Sequence, residues 1–218
     1  MLRDLLDGKS IDFAGEFYRL KLAPPRVRMV RGNCPALYFG GLSEAARETA
    51  AQQADVFLMW PDRMETVRAI VADLKARAAR HGRQLRFGYR VHVIVRETEA
   101  EARAARQRLL SRLDDDEGRQ IRQRSLDARS LGVAKQMELR ETADDEGYAE
   151  EFLWTGIGRA RSGCGAAIVG NPDQVLGKLR AYQEAGIEGL HPLGLPHATE
   201  CDLFARHVLP HMAHAQLP

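Results

Sequence analysis

Arg90 and His92 stand two apart in the run Arg86-Phe87-Gly88-Tyr89-Arg90-Val91-His92-Val93-Ile94-Val95, most of which is apolar or aromatic. On a strand, residues two apart project from the same face. The guanidinium and the imidazole therefore share one face with Ile94, while Tyr89, Val91, Val93 and Val95 line the other. A cation and an imidazole on an otherwise buried strand cost free energy unless something offsets them. An anionic ligand or a paired carboxylate would serve. A structural arginine beside a hydrogen-bonded core histidine fits the same spacing, and periodicity alone does not separate these readings.

A second cluster is His207, His211 and His214, at i, i+4 and i+7 of an expected last helix. That spacing could hold a metal. No cysteine or acidic partner recurs with ligand spacing, so a solvated or capping cluster is the expectation and no metal site is assigned.

The elements that must position these residues alternate between short apolar runs and helical patterns from Ala36 onward, which is the signature of βα units on a parallel sheet. Four units are expected. Strand 36–40 leads into a helix at about 43–53, and strand 56–60 into a helix at about 63–80 closed by Gly82. Strand 86–95 leads into a helix at about 99–112. A helix capped by Asn171 with Pro172 at its first position and ended by Gly186 precedes strand 189–193 and a last helix at about 199–214. Residues 113–165 form an insertion of different character. It opens on Asp114-Asp115-Asp116-Glu117 and closes on Arg159-Ala160-Arg161-Ser162-Gly163-Cys164-Gly165. Such a stretch is expected to be a lid or partly disordered, with helical propensity over about 120–140. Gly163 and Gly165 allow a mobile or a close-packed loop beside Arg161. A small hairpin turning near Ala14-Gly15 falls within a lead-in at 1–35, and the whole is read as one domain.

The charge balance, 32 Lys+Arg against 30 Asp+Glu, leaves no basic footprint for nucleic acid. Three scattered cysteines argue against a disulfide framework and for a reducing compartment, with cytoplasm the default. No membrane span or signal peptide is expected.

Several motifs occur together in one order: Tyr38-Phe39-Gly40-Gly41-Leu42-Ser43, Trp60, Arg90-Val91-His92-Val93-Ile94-Val95, Arg161-Ser162-Gly163-Cys164-Gly165 and Val169-Gly170-Asn171-Pro172. In these the sequence resembles the bacterial luciferase-like monooxygenases, among them the alkanesulfonate monooxygenases that use reduced FMN. The resemblance implies a (β/α)8 barrel of the TIM type, of which this chain covers the C-terminal half, with the first four βα units absent. It implies two-component chemistry: an NAD(P)H-dependent FMN reductase supplies reduced FMN, oxygen adds to it as a flavin peroxide, and an alkanesulfonate is split to aldehyde and sulfite.

By the same resemblance, Arg90, His92, Arg161 and His197 correspond to active-site positions. Fixed cations at barrel strand ends suit an anionic sulfonate and peroxide. Arg90 and Arg161 are expected to hold oxygens of these groups, and His92 to bind the anion or move a proton near neutral pH. His197 also reads as an exposed loop histidine. Ser43, after Gly40-Gly41, opens a helix whose free amides favour a flavin phosphate, a role compatible with simple capping. Trp60 reads either as a wall of the flavin or substrate site or as a core residue at a strand end. The family tyrosine is replaced by Leu195, which removes a hydroxyl. Two other readings stay open: a noncatalytic half-barrel that binds flavin phosphate or self-associates, and a deazaflavin-dependent oxidoreductase of the same superfamily. Unpaired sheet edges lead us to expect a homo-oligomer or a self-associating chain.

Overall fold

The computed structural model describes residues 1–26, 29–126, 130–160 and 163–213. Arg161 and His214 lie outside them. The chain divides into two compact units, 1–38 and 39–218. In the first, a short helix α1 (Leu2–Leu6) precedes the expected hairpin, β1 (Ile11–Ala14) paired antiparallel with β2 (Arg19–Leu22). The sequence reading did not anticipate α1.

The boundary between the units falls within β3 (Tyr38–Phe39), which is shorter than the expected strand 36–40. The second unit continues through α2 (Glu44–Gln53), β4 (Val56–Met59), α3 (Met64–Arg80), β5 (Arg86–Val95) and α4 (Glu99–Leu110). Capping chemistry sets several boundaries. Ser43 accepts from the Ala46 amide at α2, and Thr98 and Glu101 form a reciprocal capping box at α4. The insertion is folded among the described residues as α5 (Asp115–Leu126), α6 (Leu131–Glu141), β6 (Tyr148–Glu150) and β7 (Leu153–Trp154), followed by a 3-10 turn at Gly156–Arg159. Then come β8 (Ala167–Gly170), α7 (Pro172–Glu184), β9 (Gly189–Leu193) and α8 (His197–His207). The last helix stops at His207 rather than near 214 because Pro210 lacks an amide donor and would clash with the carbonyl of Arg206. The chain passes instead into a 3-10 turn at Leu209–His211.

The strand pairing gives half of a (β/α)8 barrel. β5 pairs parallel with β4 over 86–89 and parallel with β9 over 88–92. Both neighbours share residues 88 and 89, so they occupy opposite edges of β5. β8 pairs parallel with β5 over 92–95. It shares His92 with β9 and must therefore lie on β4's edge, taking over where β4 ends. β7 joins β8 antiparallel, and β6 extends the sheet.

The helix-facing side of the sheet is the main core. Phe57, Phe87, Tyr89 and Val91 are fully buried there with Leu74, Leu179 and Tyr182. Each such side chain contributes about 1.5–3 kcal/mol of burial. A second cluster joins Ile94, Ala102, Trp154, Ala167 and Val169, tying the insertion to α4 and β8. No helix among the described residues is long and apolar enough to cross a membrane.

Candidate active site at the strand ends of the half-barrel

Period-two alternation places Arg90 and His92 on the face of β5 opposite the helix-facing core, as the sequence pattern requires. The two differ in access: Arg90 is partly exposed, whereas His92 is 1% exposed. Any contact between His92 and a ligand therefore needs a neighbour to move, while Arg90 is reachable. In register, Arg90 pairs with His191 of β9, and His92 pairs with Leu193 on one side and Ala167 on the other.

Arg90 lies at the changeover between β4 and β8, and the described end of the insertion is anchored there. Cys164 is buried and its Sγ donates to the Arg90 carbonyl at 3.2 Å. Gly163, at φ +84°, lies against Trp60: a Cβ there would sit 3.4 Å from the indole. Gly165 packs backbone to backbone on Gly158, since a Cβ would come within 2.6 Å of the Gly158 Cα. Gln136 of α6 completes the anchorage, donating to the Pro61 carbonyl at 2.5 Å and accepting from the Gly165 amide at 3.3 Å. At 163–165 the loop is thus close-packed. Arg161 is not described, but the residues two and three beyond it abut Trp60 and Arg90. Trp60 is half-buried between Gly132 and Gly163, so it acts as a brace for the insertion at the strand end.

His197 is the first residue of α8 and is exposed, with Nδ1 hydrogen-bonded to the Gly194 carbonyl. Its loop is fixed from behind. Glu200, 5% exposed, forms a two-armed ion pair with Arg96 just past β5, at 2.6 and 3.0 Å. A Cβ on Gly194 would lie 2.0 Å from the Glu200 Cβ, so only glycine fits under this pair. The sequence reading missed Glu200, which looks there like an ordinary solvated helix acid. It also missed His191, whose run Gly189-Leu190-His191 gives no sign of its partner strand.

Near the β4 end, burial raises the Asp62 carboxyl above the usual aspartate range. Its Oδ1 accepts from the Arg63 amide at 2.8 Å. Around α2, Ser43 is engaged as a cap by the Ala46 amide at 3.2 Å, leaving the earlier first-turn amides of Glu44 and Ala45, which no helix satisfies internally. A Cβ on Gly41 would come 2.8 Å from the Ala46 Cβ, and one on Gly40 would come 3.0 Å from the Leu58 carbonyl oxygen. Side chains are therefore excluded on the approach to this helix start. A bare backbone with free amides at a helix start suits the phosphate of a flavin mononucleotide. Among the described residues no group of His, Cys, Asp and Glu is arranged to hold a metal.

The family model of luciferase-like monooxygenases matches residues 1–189. The chain belongs to that family. It is 64% identical over 217 residues to the sulfoquinovose monooxygenase of Novosphingobium aromaticivorans, matching all of this chain and 60% of that one. It is 47% identical over 221 residues to the sulfoquinovose monooxygenase of Agrobacterium fabrum, covering 57% of that protein. The chain thus spans a little under two thirds of the length of these relatives. Among solved structures, DmoA of Hyphomicrobium sulfonivorans superposes with a TM-score of 0.69 at 18% identity, over 92% of this chain and 46% of that one. This agrees with the half-barrel read from the strand pairing. The expected alkanesulfonate is not the substrate that the similar relatives are named for; theirs is a sulfonated sugar.

Proposed function

We propose that this chain supplies the sulfonate-facing half of a monooxygenase barrel that uses reduced FMN and oxygen to release sulfite from sulfoquinovose. The observation that carries this reading is the 64% identity to a sulfoquinovose monooxygenase along the whole chain. The geometry of β5 supports it, because the partly exposed cation Arg90 on its face is of the kind a sulfonate needs.

Reduced FMN, delivered by a separate NAD(P)H-dependent reductase, supplies when bound the electrons that activate oxygen. The chain's own residues do the rest. The amides opening α2, with Ser43 as cap and Gly41 clearing the approach, hold the flavin phosphate. Arg90 binds sulfonate oxygens, and Arg161, two residues before the anchored glycine, adds a second cation. Each balances the charge that grows on oxygen as the carbon–sulfur bond breaks and sulfite departs. His92, buried beside Arg90 on the same strand face, transfers a proton once a neighbour moves to admit the substrate, and His197 stands at the start of α8. Trp60 braces the insertion through Gly132 and Gly163. The relatives' sulfonated substrate favours this oxygenation over the deazaflavin reading.

A second reading, a noncatalytic half-barrel that associates with other chains, draws on the strand edges, since β9 pairs with β5 alone among the described strands. One experiment separates the two. The chain is joined to the N-terminal barrel portion of the Novosphingobium relative and supplied with reduced FMN, oxygen and sulfoquinovose. Multiple-turnover sulfite release is expected. A folded, flavin-binding chimaera that releases no sulfite would favour the noncatalytic reading.

A further inference from the structure

Resting on the sulfonate reading above, we propose that Glu150, in the insertion, is a positioning residue for Arg90: it fastens the insertion across the end of β4 and so keeps the sulfonate-binding strand in its setting. Arg63, at the N-cap position of α3, gives that helix no side-chain cap, so the first amides of α3 need partners from elsewhere. Glu150 supplies one from β6. Its Oε2 accepts from the Met64 amide at 3.0 Å, and its negative charge suits the positive end of the helix. The other oxygen accepts from Lys178 Nζ of α7 at 2.5 Å. The Lys178 side chain is 11% exposed and that of Glu150 22%, so this pair is shielded in a way that surface ion pairs are not. Arg63 completes the fastening by donating to the Ala149 carbonyl at 3.1 Å and to the Thr142 carbonyl and hydroxyl at 2.8 and 2.9 Å. Two successive residues at the start of α3 thus grip the insertion at β6 and just past the end of α6.

Two runs of contacts lead from this clasp to Arg90. In one, α6 carries Gln136, which bridges the Pro61 carbonyl and the Gly165 amide, and Cys164 next to that glycine donates to the Arg90 carbonyl. In the other, Lys178 Nζ lies 5.6 Å from the centre of the Tyr182 ring, and that ring is 4.3 Å from the ring of Tyr89, the neighbour of Arg90 on β5. Both tyrosines are fully buried, and the Tyr89 hydroxyl accepts from the Asp62 amide at 3.4 Å. Without the Glu150 carboxylate, Lys178 is left shielded without its counter-ion and the Met64 amide loses this acceptor. The clasp then loosens, and the backbone at Arg90 loses its fixed setting. A guanidinium displaced by about 1 Å loses much of its hold on a departing anion.

The test uses the completed chain described above, with sulfoquinovose as substrate and sulfite as the readout. Glu150→Leu should lower kcat/KM roughly tenfold with the fold intact, and Glu150→Gln, which keeps an acceptor for the Met64 amide, should retain most of it. In the Arg90→Ala background Glu150→Leu should cost under about threefold, because the group it positions is gone, whereas a purely structural loss would be equal in both backgrounds. Lys178→Met, which removes the ion partner alone, should show the same cancellation and serves if the leucine variant does not fold. In the 218-residue chain, Glu150→Leu should speed amide exchange at Gly165 more than along β5, where a loss of global stability would speed both alike. Equal losses in the two backgrounds, equal losses in the leucine and glutamine variants, exchange quickened equally at Gly165 and β5, or wild-type activity in a folded Glu150→Leu chain would each overturn the inference while leaving the sulfonate reading intact. A wild-type completed chain that releases no sulfite would overturn both.

Discussion

Removing the Glu200 carboxylate tests whether the loop carrying His197 is held from behind by the strand carrying Arg90. The Glu200 side chain is 4% exposed and that of Arg96 19% exposed. Breaking a buried pair by deleting one partner costs about 3–5 kcal/mol, because the other charge stays behind unpaired. Arg96 keeps one hydrogen bond, to the Val95 carbonyl at 2.7 Å, and is partly hydrated, so the lower end applies. Glu200→Leu should therefore cost about 3 kcal/mol, a fall in Tm of roughly 6–12 °C for a domain of this size. Arg96→Met alone should cost at least as much, since the carboxylate it leaves behind is the more buried partner, 4% exposed. The double variant should cost well under the sum, as an apolar pair of similar volume replaces the ions. Urea unfolding of the four proteins gives the coupling energy, and amide exchange at 194–197 reports the loop directly. Additive losses, or a Glu200→Leu cost below about 1 kcal/mol, would refute the argument that this pair fixes the loop.

Three further outcomes are expected. The folded state holds the Asp62 proton more tightly than the unfolded chain, because burial raises its pKa. Its contribution is therefore present at acid pH and lost as pH rises from the ordinary aspartate value through the raised one. Asp62→Asn should thus gain stability over wild type across that rise and match it below, and a difference in Tm that does not vary with pH would contradict this. Leu195→Tyr in the completed chain should raise sulfite formation by restoring a hydroxyl; an unchanged rate with intact substrate binding would show that the position is not limiting. The isolated chain should self-associate, since β9 pairs with β5 alone and β3 borders β4 alone among the described strands. A monomer by light scattering at tens of micromolar would contradict that.

The parts of the fold that the sequence made legible are those with local signals. Asn171-Pro172 and Gln174 mark the start of α7 through a capping box, and the strict alternation over 89–95 assigns the two faces of β5. The parts it hid depend on distant partners. Ala167–Gly170 is only four residues long and follows a glycine-rich loop, so its strand character shows only once β5 and β7 flank it. Within the site, Arg90 announced itself as a cation on an apolar strand. His191 did not, because its meaning comes from register with a strand about a hundred residues away, and register between distant strands is set by packing rather than by local pattern. Trp60 could be read as site wall or core. The structure gives it a third role, bracing Gly132 and Gly163 of the insertion.

The central claim, that Arg90 on this strand face holds the sulfonate, is tested most directly by sulfite release from sulfoquinovose in the completed chain with Arg90→Ala. Loss of one charge-assisted contact to the developing anion should cost about 2–4 kcal/mol of transition-state stabilisation, that is, lower kcat/KM by roughly 30- to 900-fold, with the fold intact. His92→Ala, acting from a buried position, should lower it less. A folded Arg90→Ala variant that releases sulfite at the wild-type rate would contradict the account.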